Sequence, residues 1–329
     1  MVTYQGAKHV QKQLDSIVSQ SRQPDEIVVS DDASTDGTWE ILRRFAAEAP
    51  VLVQLRRQAQ NLGLRANVTT ALSMCSGSVI VLADQDDLWM PDKLAAVEAA
   101  FLDPNVTLWF SDASLIDDTG AAIDGTAWKA VRFQAEDHRG VSRGRGLRRL
   151  LHGMTVTGAT MAVRSDVLDA ALPLPERVGG RDDLYLHDGW MAVIAALMGE
   201  TVADATPYTA YRQHDGQFSG QTMARAVEDR SGGPSEAVVE HPRPPADRLT
   251  QLRLDSARTS LVASRVRAHH SAASFRQDAV QELFDLEAFL DTRSSPQGWR
   301  RRQQVVRQLF LGHYSRFARG LLTAAKDLL

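Results

Sequence analysis

Asp84, Asp86 and Asp87 close the apolar run Val79-Ile80-Val81-Leu82-Ala83, with Gln85 between the first two carboxylates. Two carboxylates flanking one residue can hold a hard divalent cation, and such a cation can hold a diphosphate. A short apolar run reads as a buried strand, and the acids mark its C-terminal end. Ligands of open α/β sheets bind at that edge. The pattern points to nucleotide-sugar chemistry. Four more polar groups fall where strands should end: Thr3-Tyr4-Gln5-Gly6; Asp31-Asp32-Ala33-Ser34-Thr35-Asp36-Gly37; Asn61-Leu62-Gly63 with Arg65 and Asn67; and His187-Asp188 with Tyr211-Arg212-Gln213-His214. Taken singly, each has a plain structural use. Asp, Ser, Thr and Gly favour turns and helix caps, which covers 31–37 and 84–87. Asp188 could cap a helix, and His214 could be a surface histidine. Their common placement after predicted strands carries the chemical reading.

Bringing such residues to one rim takes alternating strands and helices. The periodicity predicts strands at 26–30, 51–55 and 79–83. It predicts helices at 38–49 (Ile41, Leu42 and Phe45 inward), 65–75 (Val68, Ala71, Leu72 and Cys75 on one face) and 91–101, the last opened by Pro91. This rhythm gives an α/β fold with right-handed crossovers. Beyond it, strands are expected at 108–116 and 157–163, a helix at 188–198, and a strand end at 209–212. Residues 124–150, with Arg139, Arg143, Arg145, Arg148 and Arg149, read as a mobile loop and a short helix. The sheet is therefore expected to be mixed. The expected domains are 1–228, a Pro/Gly-rich linker or loop at 229–246, and a helical region at 247–329. Met1-Val2-Thr3-Tyr4 looks like the end of a strand, and either a start a few codons upstream or a short first strand would account for it.

The chain has 329 residues, 43% hydrophobic and 24% charged, with a net charge of −4. That is an ordinary globular composition, and it offers nucleic acid no global basic field. The lone cysteine, Cys75, excludes an internal disulfide and reads as core packing in a reducing compartment. No apolar run approaches the roughly 20 residues that cross a bilayer, and no secretion signal opens the chain. A cytoplasmic location is expected. Residues 299–328 form a basic amphipathic stretch in which Val305, Val306, Leu309, Phe310, Phe317, Leu321 and Leu322 are apolar. Such a helix covers a core, or it lies on a membrane with Arg300, Arg301, Arg302, Arg307, Arg316 and Arg319 flanking its apolar face.

The strings Thr3-Tyr4-Gln5-Gly6-Ala7-Lys8, Ser30 to Thr38, Asp84-Gln85-Asp86-Asp87-Leu88-Trp89, Gly158-Ala159-Thr160-Met161-Ala162, His187-Asp188 and Tyr211-Arg212-Gln213-His214 stand in this order. In that order the chain resembles family 2 of the inverting glycosyltransferases, and within it the bacterial rhamnosyltransferase-like branch. Lys326-Asp327-Leu328-Leu329 adds a weaker likeness. The resemblance implies a GT-A fold: a mixed, mainly parallel nucleotide-binding sheet with flanking helices, followed here by a C-terminal helical extension. It implies that Thr3, Tyr4, Asp31 and Asp32 line a pyrimidine pocket and that Arg65 falls in a phosphate-contacting segment. It gives Asp84 and Asp86 to the sugar nucleotide, Asp86 and His214 to Mg²⁺ or Mn²⁺, and Asp188 to the role of general base. A dTDP- or UDP-linked hexose, rhamnose first, would pass to a cell-surface or lipid-linked glycan precursor. Gln5 replaces the branch's usual Asn, and Ala66 stands where a basic residue is usual. Gly189 stands where a large residue is common, and Asp215-Gly216-Gln217 replaces Gly-Asn-Asn. Two rivals remain. A sugar-1-phosphate nucleotidyltransferase needs a Gly-rich loop after the first strand, and residues 3–8 hold a single glycine. A non-catalytic nucleotide-sugar-binding module would not need Asp188.

Overall fold

The computed structural model describes residues 1–131, 133, 137, 140–141, 146–151, 156–178, 184–214, 248–269, 274–294, 299–318, 323 and 327, with 248, 249, 299 and 300 described by backbone. The chain divides into two compact units, Met1–Val238 and Val239–Leu329. The expected linker at 229–246 and the 215–217 loop lie outside the described residues.

Among the described residues the first unit holds two sheets. In one, β1 (Val2–Thr3) and β3 (Leu52–Arg57) each pair in parallel with β2 (Glu26–Asp31). Five consecutive β2 residues, Ile27 to Asp31, are buried, as a strand covered on both faces must be. The helices α1 (Val10–Val18), α2 (Thr38–Glu48) and α3 (Leu64–Met74) carry apolar residues at helical spacing. Leu14 and Ile17 of α1 and Leu42 and Phe45 of α2 pack with Ile27 and Val29 of β2. Register places Thr3 opposite Asp31, so both face the same end of the sheet. The Met1 amine is buried and donates to the Val28 carbonyl at 2.8 Å.

The second sheet runs β4 (Val79–Val81), β8 (Met161–Arg164), β6 (Val106–Ile116), β9 (Glu200–Arg212) and β5 (Leu88–Trp89), with β7 (Ala122–Thr126) on β6. Among its described strands only the β6–β9 pair is parallel; the β4–β8, β6–β8, β6–β7 and β5–β9 pairs are antiparallel. The mixed sheet is thus present, parallel across β1–β3 and richer in antiparallel pairs beyond. Around it lie α4 (Lys93–Phe101), α5 (Ala127–Ala130), α6 (Leu147–Leu151), α7 (Val167–Ala171) and α8 (His187–Met198). Two expectations need correction. The helix expected from residue 91 begins at Lys93, after a turn in which Lys93 N donates to the Met90 carbonyl. The strand expected from residue 157 begins at Met161, because Thr160 N bonds back to Thr157 O (2.9 Å) and winds Gly158–Thr160 into a tight 3-10 turn. Cys75 caps the end of α3, half-buried, its thiol 3.4 Å from the Ala71 carbonyl.

The second unit is helical where it is described: α9 (Arg248–Ala268), α10 (Gln277–Ser294), α11 (Trp299–Phe310) and α12 (His313–Phe317). Phe289 meets Tyr314 edge-on at 5.0 Å, beside buried Leu286 and Val305. Asp327 takes the Arg293 guanidinium (2.7 Å) and the Tyr314 hydroxyl (3.0 Å). Among the described residues no helix is long and apolar enough to cross a membrane.

Candidate active site

The rim begins at the ends of β1 and β2. Asp31 has no exposed surface, and a buried carboxylate must be hydrogen-bonded. It accepts from Thr3 Oγ1 (2.9 Å), Ser34 N (2.9 Å) and Ser34 Oγ (2.6 Å). Asp32 accepts from the N–H groups of Leu62 (2.8 Å) and Gly63 (2.9 Å). The pair therefore folds two loops, the turn after β2 and the entry to α3. Gly63 has φ of +83°, a left-handed conformation that favours glycine at that entry. Arg65 follows in the first turn of α3. It is exposed, and among the described residues no hydrogen bond joins it to the rest of the set.

Residues 4–9 lie over this end. The Gln85 side chain accepts from Tyr4 N (3.0 Å) and donates to Tyr4 O (3.1 Å), linking the first loop to the acidic turn. A Cβ on Gly6 would come within 2.2 Å of Gln85 Oε1, so a larger residue there would displace the Gln85 amide from Tyr4. Gly6 N donates to Thr38 Oγ1 (2.8 Å) and Ala7 N to Asp36 Oδ2 (3.0 Å). Tyr4 itself is 50% exposed.

The acidic turn after β4 is gathered from three sides. Asp86 Oδ2 lies 2.8 Å from His214 Nε2. Buried Arg212 holds that contact in place: its N donates to Asp87 Oδ1 (2.8 Å), its Nε to Asp86 O (2.6 Å) and its Nη1 to Asp117 O (2.9 Å). Burial, then the negative charges of Asp86 and Asp188, push the Asp84 carboxyl up to about 7. The same burial, with Asp86 and Asp84, drives Asp87 well above the carboxylate range. Lys93 lies beneath, fully buried, donating to Ala159 O (2.6 Å) and Thr209 Oγ1 (3.1 Å) and sitting 4.2 Å from the Trp89 ring centre. Burial brings its ammonium down to about 7 against the pull of Asp87 and Asp84.

Asp188 stands in the first turn of α8. Its Oδ2 accepts from Gly158 N (2.9 Å) and its Oδ1 from Gly189 N (2.6 Å). The tight 158–160 turn thus aims a main-chain donor at this carboxylate. Beside it His187 is buried, and burial lowers its imidazole despite the Asp188 charge. Asp84, Asp86, Asp188 and His214 therefore share one acidic neighbourhood, with Thr3, Asp31 and Asp32 on the sheet end that Gln85 ties to it. His9 adds a second imidazole, 5.5 Å from the His214 ring and 3.0 Å from Asp118 Oδ1. Gln85, Lys93, His9 and the pinning role of Arg212 have no reading in the sequence. Arg212 stood within a recognised string, but nothing in it marked the side chain as buried.

Residues 1–167 match the family described as Glycosyl transferase family 2. The dTDP-rhamnosyl transferase RfbG of Shigella flexneri is 30% identical over 231 residues, which are 68% of this chain and 75% of that protein. Uncharacterized protein Rv1520 of Mycobacterium tuberculosis is 30% identical over 123 residues, 36% of each chain, so the match spans about a third of that relative's length. A crystal structure of S. aureus TarS 1-349 in complex with UDP-GlcNAc aligns with a TM-score of 0.51 and 18% identity, covering 99% of this chain and 86% of that one. At that identity the likeness is one of fold.

Proposed function

The chain belongs to glycosyl transferase family 2, and from that premise we propose that it is an inverting, metal-assisted glycosyltransferase acting on a nucleotide-linked hexose. The observation that carries the reading is the joining of Asp84, Asp86, Asp188 and His214 in one acidic rim at the sheet end. Rhamnose on a dTDP carrier is the favoured donor, on the strength of the RfbG relative, with UDP-linked hexoses next. The acceptor is a hydroxyl of a cell-surface polysaccharide or lipid-linked glycan precursor. The half-buried thiol of Cys75 suits a reducing, cytoplasmic setting.

A divalent cation fits the donor set. Asp86 and His214 supply a carboxylate oxygen and an imidazole nitrogen already side by side, a combination that Mn²⁺ accepts. Among the described residues no group of three His, Cys, Asp or Glu is arranged to enclose an ion. Asp86 and His214 would therefore hold it together with oxygens of the substrate diphosphate, as Mg²⁺-type sites commonly do. When bound, it would offset the charge that gathers on the leaving diphosphate.

The remaining roles belong to the chain itself. Asp188 takes the proton of the acceptor hydroxyl. Each of its oxygens accepts one main-chain N–H and keeps a lone pair for that proton, so the carboxylate is aimed without being used up. Attack opposite the leaving group inverts the anomeric carbon, and no covalent enzyme intermediate is needed. Tyr4 covers the base, Asp32 is the acceptor offered to a pyrimidine N3–H, and Asp31, itself buried, holds Thr3 and Ser34 behind the pocket. Arg65, exposed on α3, is the candidate contact for the diphosphate.

A donor panel tests the reading. Purified protein with Mn²⁺ and a glycan acceptor is mixed with dTDP- and UDP-sugars, and nucleoside diphosphate release is measured. Release from dTDP-rhamnose or a related hexose donor is expected. Nucleotide binding without release from any donor would leave only a binding module.

A further inference from the structure

We propose that the outward face of α11, with the tip that follows it, docks on an anionic lipid surface. The segment from 299 to 326 contains no Asp or Glu and carries six arginines and Lys326, in a chain whose net charge is −4. Within the second unit, α11 covers the core with Val305 and Gln308, which are buried. The opposite side is not covered. Val306 is 41% exposed, Phe310 86% and Leu311 56%. Scattered single apolar residues need no explanation, but these three are neighbours. Arg302, Val306 and Phe310 follow one another at intervals of four, as do Gln303, Arg307 and Leu311 beside them, so two adjacent rows share one helix face. Arg302 and Phe310 stand about 12 Å apart along the axis. The face thus has a basic end and an apolar tip.

The charges on it are not all available. Arg301 lies 3.8 Å from Asp327, and Arg316 pairs with Asp285 at 2.9 Å. The side chains of Arg300 and Arg319 fall outside the described residues. Arg302 and Arg307 are exposed on the same face as the apolar tip. Charge complementarity therefore selects an anionic surface, and a helix with aromatic and aliphatic residues beside arginines is the pattern that lies in a lipid headgroup layer. Phe310 and Leu311 enter the acyl boundary; Arg302 and Arg307 meet the phosphates. The proposal goes beyond the transfer reaction and does not rest on it.

The test is co-sedimentation of the full chain with vesicles, without donor or metal. Phosphatidylcholine vesicles are compared with vesicles that also contain phosphatidylglycerol, at low and high salt. Binding is expected to the anionic vesicles and to weaken as salt rises. Arg302→Gln with Arg307→Gln should weaken it about 30-fold, and Phe310→Ser with Leu311→Ser by about tenfold or more per residue. Both variants alter exposed positions, so unchanged thermal unfolding accompanies the loss. No binding by the native chain, equal binding by both variants, or a native dimer that the Phe310/Leu311 variant dissolves would overturn the proposal, the last by giving the face to a second copy. None of these outcomes bears on donor cleavage, which the panel above measures separately.

Discussion

Asp188 is held by two glycine N–H groups from different segments, and that geometry sets what its replacement should do. Asp188→Asn keeps size and can keep one of the two main-chain hydrogen bonds through its amide oxygen, but it removes the group that takes the acceptor proton. The turnover number should fall about 100- to 10,000-fold, with donor affinity preserved. Steady-state kinetics checks this, and full activity in the variant would remove Asp188 from the role of base. The placement of Asp84, Asp86 and Asp87 was legible in sequence because an abrupt change from apolar to acidic residues marks a strand end, while Asp188 and His214 gained their roles only through the family resemblance. Lys93 was not. Next to Pro91-Asp92 it reads as a solvent-facing charge at a helix start, yet it is fully buried. Its partners Ala159 and Thr209 lie 66 and 116 residues away, and only the folded sheet brings them to its ammonium. Asp31 and Asp32 show a different gap. Their placement was readable, but their use in fixing the loops at 34 and 62–63 was not.

Between elements, Glu26 joins the start of β2 to the turn between α3 and β4. Its Oε1 accepts from Ser76 N (2.6 Å) and Gly77 N (3.0 Å), and its Oε2 from Gln54 Nε2 of β3 (2.7 Å). Burial alone would raise this carboxyl, but the donors from Ser76, Gly77 and Gln54 outweigh it and hold it below the usual glutamate range. A depressed native value means stability that is full at neutral pH and lost as pH falls through that value. Glu26→Gln should therefore lower the melting temperature by several degrees at pH 7, on the scale of one or two lost charged hydrogen bonds. The gap should close in acid; a gap constant across the range would refute the linkage. The helices α2 and α3 followed from periodicity, since each carries an apolar face that packs toward β2. The two-residue β5 and the strand β7 did not. Leu88–Trp89 pairs with Ala210 and Thr209 of β9, and no local pattern announces so short a strand. The 158–160 turn was hidden for a related reason: its sequence is compatible with a strand, and its backbone bond from Thr160 to Thr157 decides otherwise.

At the scale of the whole chain, the candidate site lies in the first unit, at the acidic rim. The second unit carries a basic, acid-free segment at its end. The central claim concerns the rim: Asp86 and His214, with a divalent cation, receive the diphosphate of a nucleotide sugar. Calorimetric titration of dTDP into the native protein and into Asp86→Ala, each with Mn²⁺ and with chelator, tests it most directly. Binding that needs Mn²⁺, and that weakens by about 10- to 100-fold or more in Asp86→Ala, is the predicted result. Equal affinity in the native protein and the variant, with or without the ion, would contradict the account.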